Sequence, residues 1–195
     1  MLNGGEEQKC RVIIAPESAP STAVITGKER IWGINGALYG LHSTDRPGPG
    51  SFTDLALAAE CAAAAGAGFL GINPIHAMGW HSSDIISPYS PSHRGFLNTT
   101  HIDVEAVAPN GDRDSQPWQT WQQSAAPSNR TNPVDYSGHR QQLQTLLQHL
   151  YDAFCTGACE AERSAYARFC HDGGIALARY AHFEVLSADA GSDWR

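Results

Sequence analysis

The stretch "SFTDLALAAECAAAAGAGFLGIN", residues 51 to 73, decides the fold class of this chain. Ser51 and Asp54 have the spacing of a capping box, in which a hydroxyl and a carboxylate bond the free amides of a helix start. The alanine-rich run that follows predicts a helix, and Gly66 predicts its end, because glycine adopts the left-handed conformation cheaply. The closing letters FLGIN predict a short buried strand.

A second strand is predicted upstream, in "IWGINGALYGL" at residues 31 to 41, which mixes β-branched, aromatic and small residues. Strand, helix and strand make a β-α-β unit, whose strands should be parallel with a right-handed crossover. "RVIIAP", residues 11 to 16, predicts one more short strand. The loop after residue 73 runs from Pro74 to His101, and α/β proteins place their sites in such loops at the carboxyl ends of parallel strands.

The second half of the chain has a different pattern. "HIDVEAV", residues 101 to 107, could be a further strand or an extended edge. Residues 109 to 133 are polar and rich in Pro, Asn and Gln, which predicts an irregular excursion anchored by Trp118 and Trp121. Apolar residues then recur at helical spacing and predict three helices. We therefore divide the chain into a polar tail (1–10), β/α units (11–108, with the site loop 74–101), the excursion (109–133) and a helical subdomain (134–195).

Composition excludes several classes of function. A net charge of −7 argues against nucleic acid or an anionic membrane as partner, and no apolar run approaches the roughly 18 residues of a transmembrane helix. The N-terminal letters MLNGGEEQKC lack the apolar core of a signal peptide. Five cysteines without disulfide-module spacing suit reduced thiols. We expect a cytoplasmic protein without a cofactor.

One group of cysteines could bind a metal. Cys155 and Cys159 have a spacing that places two thiolates on one helical face, and Cys170 with His171 could complete four ligands. Structural zinc usually uses tighter pairs presented by loops. We therefore favour thiols buried in the core over a metal site.

Several motifs together resemble one family. "GINGALYGL", "GPGSFTDL", "GAGFLGINPIHA", "SPYSPSHRGFLN" and "IDVEAV" follow one another in the order and spacing of bacterial amylomaltases, the 4-α-glucanotransferases. "VDYSGHRQQLQTLLQHLYDAF" and "GGIALARYAHFEVL" are similar to the helical subdomain of that family. The resemblance implies a (β/α)₈ TIM barrel with helical insertions, of which this chain holds the first strands. It also implies retaining transfer of α-1,4-glucan segments between maltodextrins, with a carboxylate nucleophile and a carboxylic acid.

This sequence departs from the family pattern at four positions. Ala37 stands where the family usually has glutamine, His42 replaces an arginine, Ser51 an aspartate and Thr99 a proline. The family's nucleophile and acid/base follow later barrel strands, so we expect both beyond Arg195 and expect no catalytic residue in this chain. We weighed four carboxylates as substitutes and rejected them: Asp84, Asp103, Glu105 and Glu184.

Four residues are candidates for substrate binding. The resemblance places Tyr89 at a donor sugar subsite, and its ring offers a flat apolar face to a pyranose; the alternative is a tyrosine packed on the barrel rim. Asn98 could bond a sugar hydroxyl or, as its residue type favours, its own backbone. Asn73 and His76 leave the second strand near the expected cleft, and for His76 a structural and a ligand role are equally open.

Two functions of different class therefore remain. The chain is either the N-terminal part of an amylomaltase-type transferase, inactive by itself, or a truncated, non-catalytic glucan-binding or relic domain. The reading frame after Arg195 distinguishes them, because only the first hypothesis requires the rest of a barrel.

Overall fold

A computed structural model describes residues 12–41, 48–80, 87–108, 113–124 and 135–190. The chain divides into two compact units, Met1–Trp32 and Gly33–Arg195. His42 and Asp84, named above, and Cys10, one of the five cysteines, lie outside the described residues.

The first unit contains one short helix. Helix α1 (Thr22–Thr26) is capped by Ser21, whose side chain accepts a hydrogen bond from the Val24 amide, and it ends at Gly27. The strand predicted for residues 11–16 is wrong for the described residues 12–16, which form no regular element and are exposed. A β-branched run becomes a strand only where another strand accepts its hydrogen bonds.

The β-α-β unit is confirmed. Strand β1 (Gly33–Gly36) pairs in parallel with β2 (Phe69–Ile72), with Gly33 opposite Phe69 and Gly36 opposite Ile72. Helix α2 (Phe52–Ala64) connects them. The strand predicted for 31–41 is shorter than expected, because the chain turns into a 3₁₀ helix at Leu38–Gly40.

The capping box at the start of α2 is also confirmed. The Ser51 hydroxyl accepts from the Asp54 amide at 3.1 Å, and the Asp54 carboxylate accepts from the Ser51 amide at 2.8 Å. Ser51 thus caps the helix at the position where the resemblance implies an aspartate. Beyond the helix, Gly66 has φ +86°, the left-handed conformation expected at such an end.

The long loop contains a hairpin. Strand β3 (His76–Ala77) pairs antiparallel with β4 (His93–Leu97), with His76 opposite Leu97 and Ala77 opposite His93. The segment "SPYSPSHRGFLN" therefore ends in a strand that its sequence did not indicate. Short strands lack enough residues to show an alternating pattern.

The predicted strand or edge at residues 101–107 is wrong. Residues Thr99–His101 form a 3₁₀ helix, and Val104–Val107 form the one-turn helix α3. The Asp103 carboxylate accepts from the Ala106 amide at 3.2 Å, so a helix cap overrides the β-branched composition. Val104 is buried and joins the core.

Helices form the rest of the described residues and contain a hydrophobic cluster. Helix α4 (Gln116–Ser124) lies within the stretch predicted to be irregular, and α5 (Tyr136–Gly157) starts at the Asp135 cap. We call the buried cluster between these helices and α3 the helical core: Val104, Trp118, Trp121, Leu143 and Leu146. The two tryptophans thus anchor this segment as predicted.

Helix α6 (Glu160–Ala190) covers the two last predicted helices. It bends at Gly174, whose φ of +52° and ψ of −145° interrupt the helix in a conformation open almost only to glycine. Among the helices that the structure describes, none is long and apolar enough to cross a membrane.

The expectation of core thiols is wrong. Cys61, Cys155, Cys159 and Cys170 are all free and exposed. In α5, Cys155 lies on the face opposite Leu146, so the packing that buries the leucine leaves the thiol in solvent. Within the described ranges, no three His, Cys, Asp or Glu side chains lie close enough to hold a metal ion.

Candidate functional site

An open cavity of about 370 Å³ lies beside the carboxyl ends of β1 and β2. Its volume is in the range of small-molecule sites, roughly 300–1,000 Å³. Its wall is formed by the 3₁₀ turn after β1, the residues after β2, the aromatic loop (residues 87–92), the 3₁₀ helix Thr99–His101 with its cap Asn98, and the start of α5. The lining residues are Tyr39, Pro49, Asn73, Pro74, Met78, Ser87, Pro88, Tyr89, Asn98, Thr100, His101, Tyr136 and Arg140.

Asn73 joins the ends of the two parallel strands. Its side-chain oxygen accepts the Leu38 amide at 2.6 Å, and its side-chain nitrogen donates to the Pro74 carbonyl at 3.0 Å. These bonds fix the turn that carries Tyr39 against the exit of β2. Asn73 lines the cavity, and these two hydrogen bonds give it a structural role there.

Two more of the predicted residues, Tyr89 and Asn98, line the cavity. Tyr89 is 72% exposed at the cavity wall, so its ring is not packed on the protein as the alternative role requires. The Asn98 side-chain oxygen accepts the Thr100 amide at 3.1 Å and caps the 3₁₀ helix. This is the backbone-bonding role that the residue type favours, and it engages only the oxygen of the amide group.

His76 is not brought to the cavity. It lies half-buried in β3, opposite Leu97. The structure therefore places three of the four predicted binding residues, Asn73, Tyr89 and Asn98, on one wall and leaves the fourth within the hairpin.

Two further tyrosines line the cavity. Tyr39 and Tyr136 meet edge to face, with ring centroids 6.4 Å apart and an interplanar angle of 87°. Burial raises the pKa of Tyr136, and Tyr39 adds to that effect. The phenol of Tyr136 therefore stays neutral at ordinary pH and can donate and accept hydrogen bonds.

Arg140 supplies a buried cation to the same wall. Its guanidinium lies 5.4 Å from the centre of the Trp80 ring. Burial lowers the pKa of Arg140, while the Glu184 carboxylate and Tyr180 oppose that effect. Because arginine titrates so far above neutrality, the group keeps its charge.

Two buried histidines lie next to the cavity. Nδ1 of His101 lies 2.8 Å from the Gly50 carbonyl oxygen. Burial lowers the pKa of the His101 ring, and the bond to Gly50 opposes that effect only in part. Burial, with a smaller contribution from His101, lowers the pKa of His139 to about 4, although Asp135 acts in the opposite direction. Both rings are therefore neutral near pH 7, and they add no positive charge to the cavity wall.

Glu184 reaches the aromatic loop from helix α6. One carboxylate oxygen accepts the Trp80 amide at 3.0 Å, and the other accepts the Ser92 hydroxyl at 3.0 Å. Burial, and then the nearby carboxylate, raise the pKa of Tyr180 to about 12.

None of the described residues that line the cavity is an aspartate or a glutamate. Asp103 is engaged as the cap of α3, and Glu184 bonds the loop behind the wall. The arrangement can therefore bind a polar, flat ligand through aromatic faces and hydrogen bonds, but this wall offers no pair of carboxylates.

Sequence reasoning missed Tyr39, Tyr136, Arg140 and the positioning of the loop by Glu184. Tyr136 and Arg140 stand four residues apart, the spacing of one helical face, and so do Tyr180 and Glu184. The apolar pattern predicts that one face of each helix is buried. Polar groups at helical spacing on such a face were the available signal. It does not reveal which loop the face contacts.

Comparison with known proteins agrees with the resemblance. Residues 37–195 match the glycoside hydrolase 77 family, described as 4-alpha-glucanotransferase. A protein of Haemophilus influenzae named 4-alpha-glucanotransferase is 31% identical over 195 residues, covering 96% of this chain and 28% of the relative. A protein of the same name from Mycobacterium bovis is 29% identical over 210 residues, covering 100% of this chain and 28% of the relative. The chain thus spans 28% of the length of these relatives.

Proposed function

We propose, since the chain belongs to the 4-alpha-glucanotransferase family, that it forms part of an enzyme transferring α-1,4-glucan segments between maltodextrins by retaining transglycosylation. In this proposal residues 11–108 supply the first β/α units of a (β/α)₈ barrel, and residues 134–195 supply a helical insertion. The chain then contributes one wall of the glucan cleft.

A single observation carries this proposal, namely the composition and position of the cavity. It lies at the carboxyl ends of two parallel strands, the edge at which barrel enzymes place their sites. Three tyrosines, Tyr39, Tyr89 and Tyr136, line it together with two amide side chains. Aromatic faces pack on the C–H faces of pyranose rings, while amides and phenols bond sugar hydroxyls.

The chemical step needs groups that this wall lacks. Retaining transfer uses two carboxyl groups about 5–5.5 Å apart, one as nucleophile and one as acid/base. The described cavity wall carries neither. In our proposal both come from the part of the enzyme outside this chain, and Tyr89 holds the donor sugar against them.

Calorimetric titration of the chain with maltoheptaose tests the binding role. We expect saturable binding that Tyr89→Ala weakens by about tenfold, the effect of roughly 1.4 kcal/mol. Phe169→Ala is the matched control, because Phe169 is an exposed aromatic residue on α6 that does not line the cavity. If the Tyr89 variant and the wild type bind maltoheptaose with equal affinity, Tyr89 does not take part in binding.

Incubation with maltotriose tests the catalytic part. Loss of such catalytic groups lowers turnover by about 10⁴ to 10⁶ in other enzymes, so the 195-residue chain should leave the sugar unchanged. Chromatography separates the sugars. Glucose together with longer dextrins would show that the chain transfers glucan by itself, and this would contradict the proposal.

The cysteines support a reducing compartment. Four free thiols are exposed, and exposed thiols persist in the reducing cytosol. We propose on this ground that the enzyme works in the cytoplasm.

A further inference from the structure

We infer that Glu184 is a positioning residue for the glucan site: it fixes the aromatic loop, residues 87–92, and the hairpin β3–β4 against helix α6. This inference rests on the proposed function for the identity of the ligand. It gives a role to a buried carboxylate that neither the capping interactions nor the proposed chemistry uses.

The hydrogen bonds of Glu184 reach the chain on both sides of Tyr89. Trp80 precedes the loop and Ser92 closes it, and each donates to a different oxygen of the one carboxylate. The Ser92 hydroxyl also lies 3.1 Å from the Ala77 carbonyl, and the Ser92 amide donates to the same carbonyl at 2.8 Å. A carboxylate is therefore bonded to both sides of the hairpin that presents Tyr89.

Aromatic packing makes the contact directional. One turn before Glu184 on α6, Tyr180 stacks on Phe96 of β4, with ring centroids 4.2 Å apart and an interplanar angle of 12°. The Tyr180 ring also meets His93 at 5.4 Å. The ring and the carboxylate thus hold the same hairpin at two points, which prevents a rotation of the loop about either one.

The same carboxylate acts on the cationic side of the cavity. The charge of Glu184 favours the charged form of Arg140, which lines the cavity and lies over the Trp80 ring. Trp80 is bonded to Glu184 through its amide and contacts Arg140 through its ring. Moving Glu184 would therefore disturb the loop and the arginine together.

Glu184→Leu tests the inference, because leucine fills a similar volume and cannot accept either hydrogen bond. We expect backbone amides of the loop, at Trp80, Ser90 and Ser92, to exchange with deuterium at least about tenfold faster in the variant. We also expect about tenfold weaker binding of maltoheptaose, measured at a temperature where the variant is folded. A merely structural role would lower the melting temperature and leave the sugar affinity unchanged.

Glu184→Gln provides the conservative rescue. Its amide oxygen can accept from Trp80 and its amide nitrogen can donate to the Ser92 hydroxyl, so loop exchange should stay near the wild-type rate. Ser187→Ala is the matched control on α6, because Ser187 is fully buried and, among the described residues, its hydroxyl has no hydrogen-bond partner. Both properties should be unchanged in that variant.

Ser92→Ala keeps the test decisive if Glu184→Leu fails to fold, because it removes one bond from the hairpin side alone. Wild-type loop exchange in Ser92→Ala and in any folded Glu184→Leu protein would overturn the inference. So would unchanged sugar affinity in variants whose loop exchanges faster. If the wild-type chain binds no maltoheptaose, the proposed function fails on that result alone, and the exchange comparison still decides whether Glu184 fixes the loop.

Discussion

The helical core and the parallel sheet differ in how completely they are covered. Trp118, Leu143 and Leu146 are fully enclosed between α3, α4 and α5. In the parallel sheet, Ile34 of β1 is 45% exposed and Phe69 of β2 is 44% exposed. Parallel sheets are normally buried on both faces, and among the described elements α2 packs on this one.

This difference suggests that the helical core determines the stability of the fold, whereas the cavity wall determines ligand binding. Burial of large side chains stabilises the helical core, so substitutions there should change the free energy of unfolding. The cavity wall instead depends on a few long-range hydrogen bonds, those of Asn73, His101 and Glu184. Substitutions there should change ligand affinity more than stability.

Truncation of a core tryptophan should have the largest effect. Trp118→Ala should lower the free energy of unfolding by about 3–5 kcal/mol, through lost burial and the cavity left behind. Urea denaturation followed by circular dichroism measures this. Phe69→Ala on the exposed strand is the matched comparison, and we expect a loss under about 1 kcal/mol because much of that ring already contacts water. Similar losses in both variants would erase the difference between the two regions.

Trp118→Phe sharpens this test. Within the described structure the indole N–H of Trp118 has no hydrogen-bond acceptor. Phenylalanine removes that unsatisfied donor and keeps most of the apolar surface, so the loss should stay within about 1.5 kcal/mol. A loss as large as that of the alanine variant would show that the indole makes a contact beyond apolar packing.

The next largest effect is the pH dependence caused by His139. Its pKa is about 4 in the folded chain against 6.5 as the ordinary value, so the unfolded chain binds more protons between these two values. The stabilisation is fully present above pH 6.5 and should be lost, by up to about 3 kcal/mol, as the pH falls towards 4. Burial of His101 acts in the same direction.

Thermal melts of His139→Gln between pH 7 and pH 4 measure this contribution. Glutamine does not titrate, so the melting temperature should fall less steeply with acid than in the wild type. His171→Gln, on the exposed side of α6, controls for the loss of a histidine as such. An unchanged slope in the His139 variant would show that another group causes the acid sensitivity.

The sequence predicted the elements that local rules determine. The capping box at Ser51, the glycine end of α2 and the leucine stripe of α5 each depend on neighbouring residues, and each is confirmed. The failures lie where tertiary contacts decide. Residues 12–16 have strand composition without a partner strand, and the Asp103 cap turns a β-branched segment into a helix.

The same limit applies to the site. Asn73 and Asn98 were candidates for substrate binding because they follow a strand or stand in its long loop, and Tyr89 mainly because of the family resemblance; all three line the cavity. Arg140 and Tyr136 come from helix α5, much later in the chain, and no local pattern indicates which loop that helix contacts. Glu184 stands in the segment predicted to be helical (134–195), but its bonds to Trp80 and Ser92 depend on tertiary packing.

The smallest predicted effect concerns helix caps in the two regions. Ser51→Ala removes the cap of α2 on the sheet side, and Asp135→Ala removes the bond to the Gly138 amide at the start of α5. Each should cost about 1 kcal/mol. If the helical core determines the stability of the chain, Asp135→Ala lowers the urea concentration at the midpoint of global unfolding. Ser51→Ala then mainly speeds amide exchange within α2. Ser51→Thr keeps the hydroxyl and should restore the exchange rate. Equal shifts of the global midpoint in both alanine variants would show instead that the sheet and the helical core unfold as one unit.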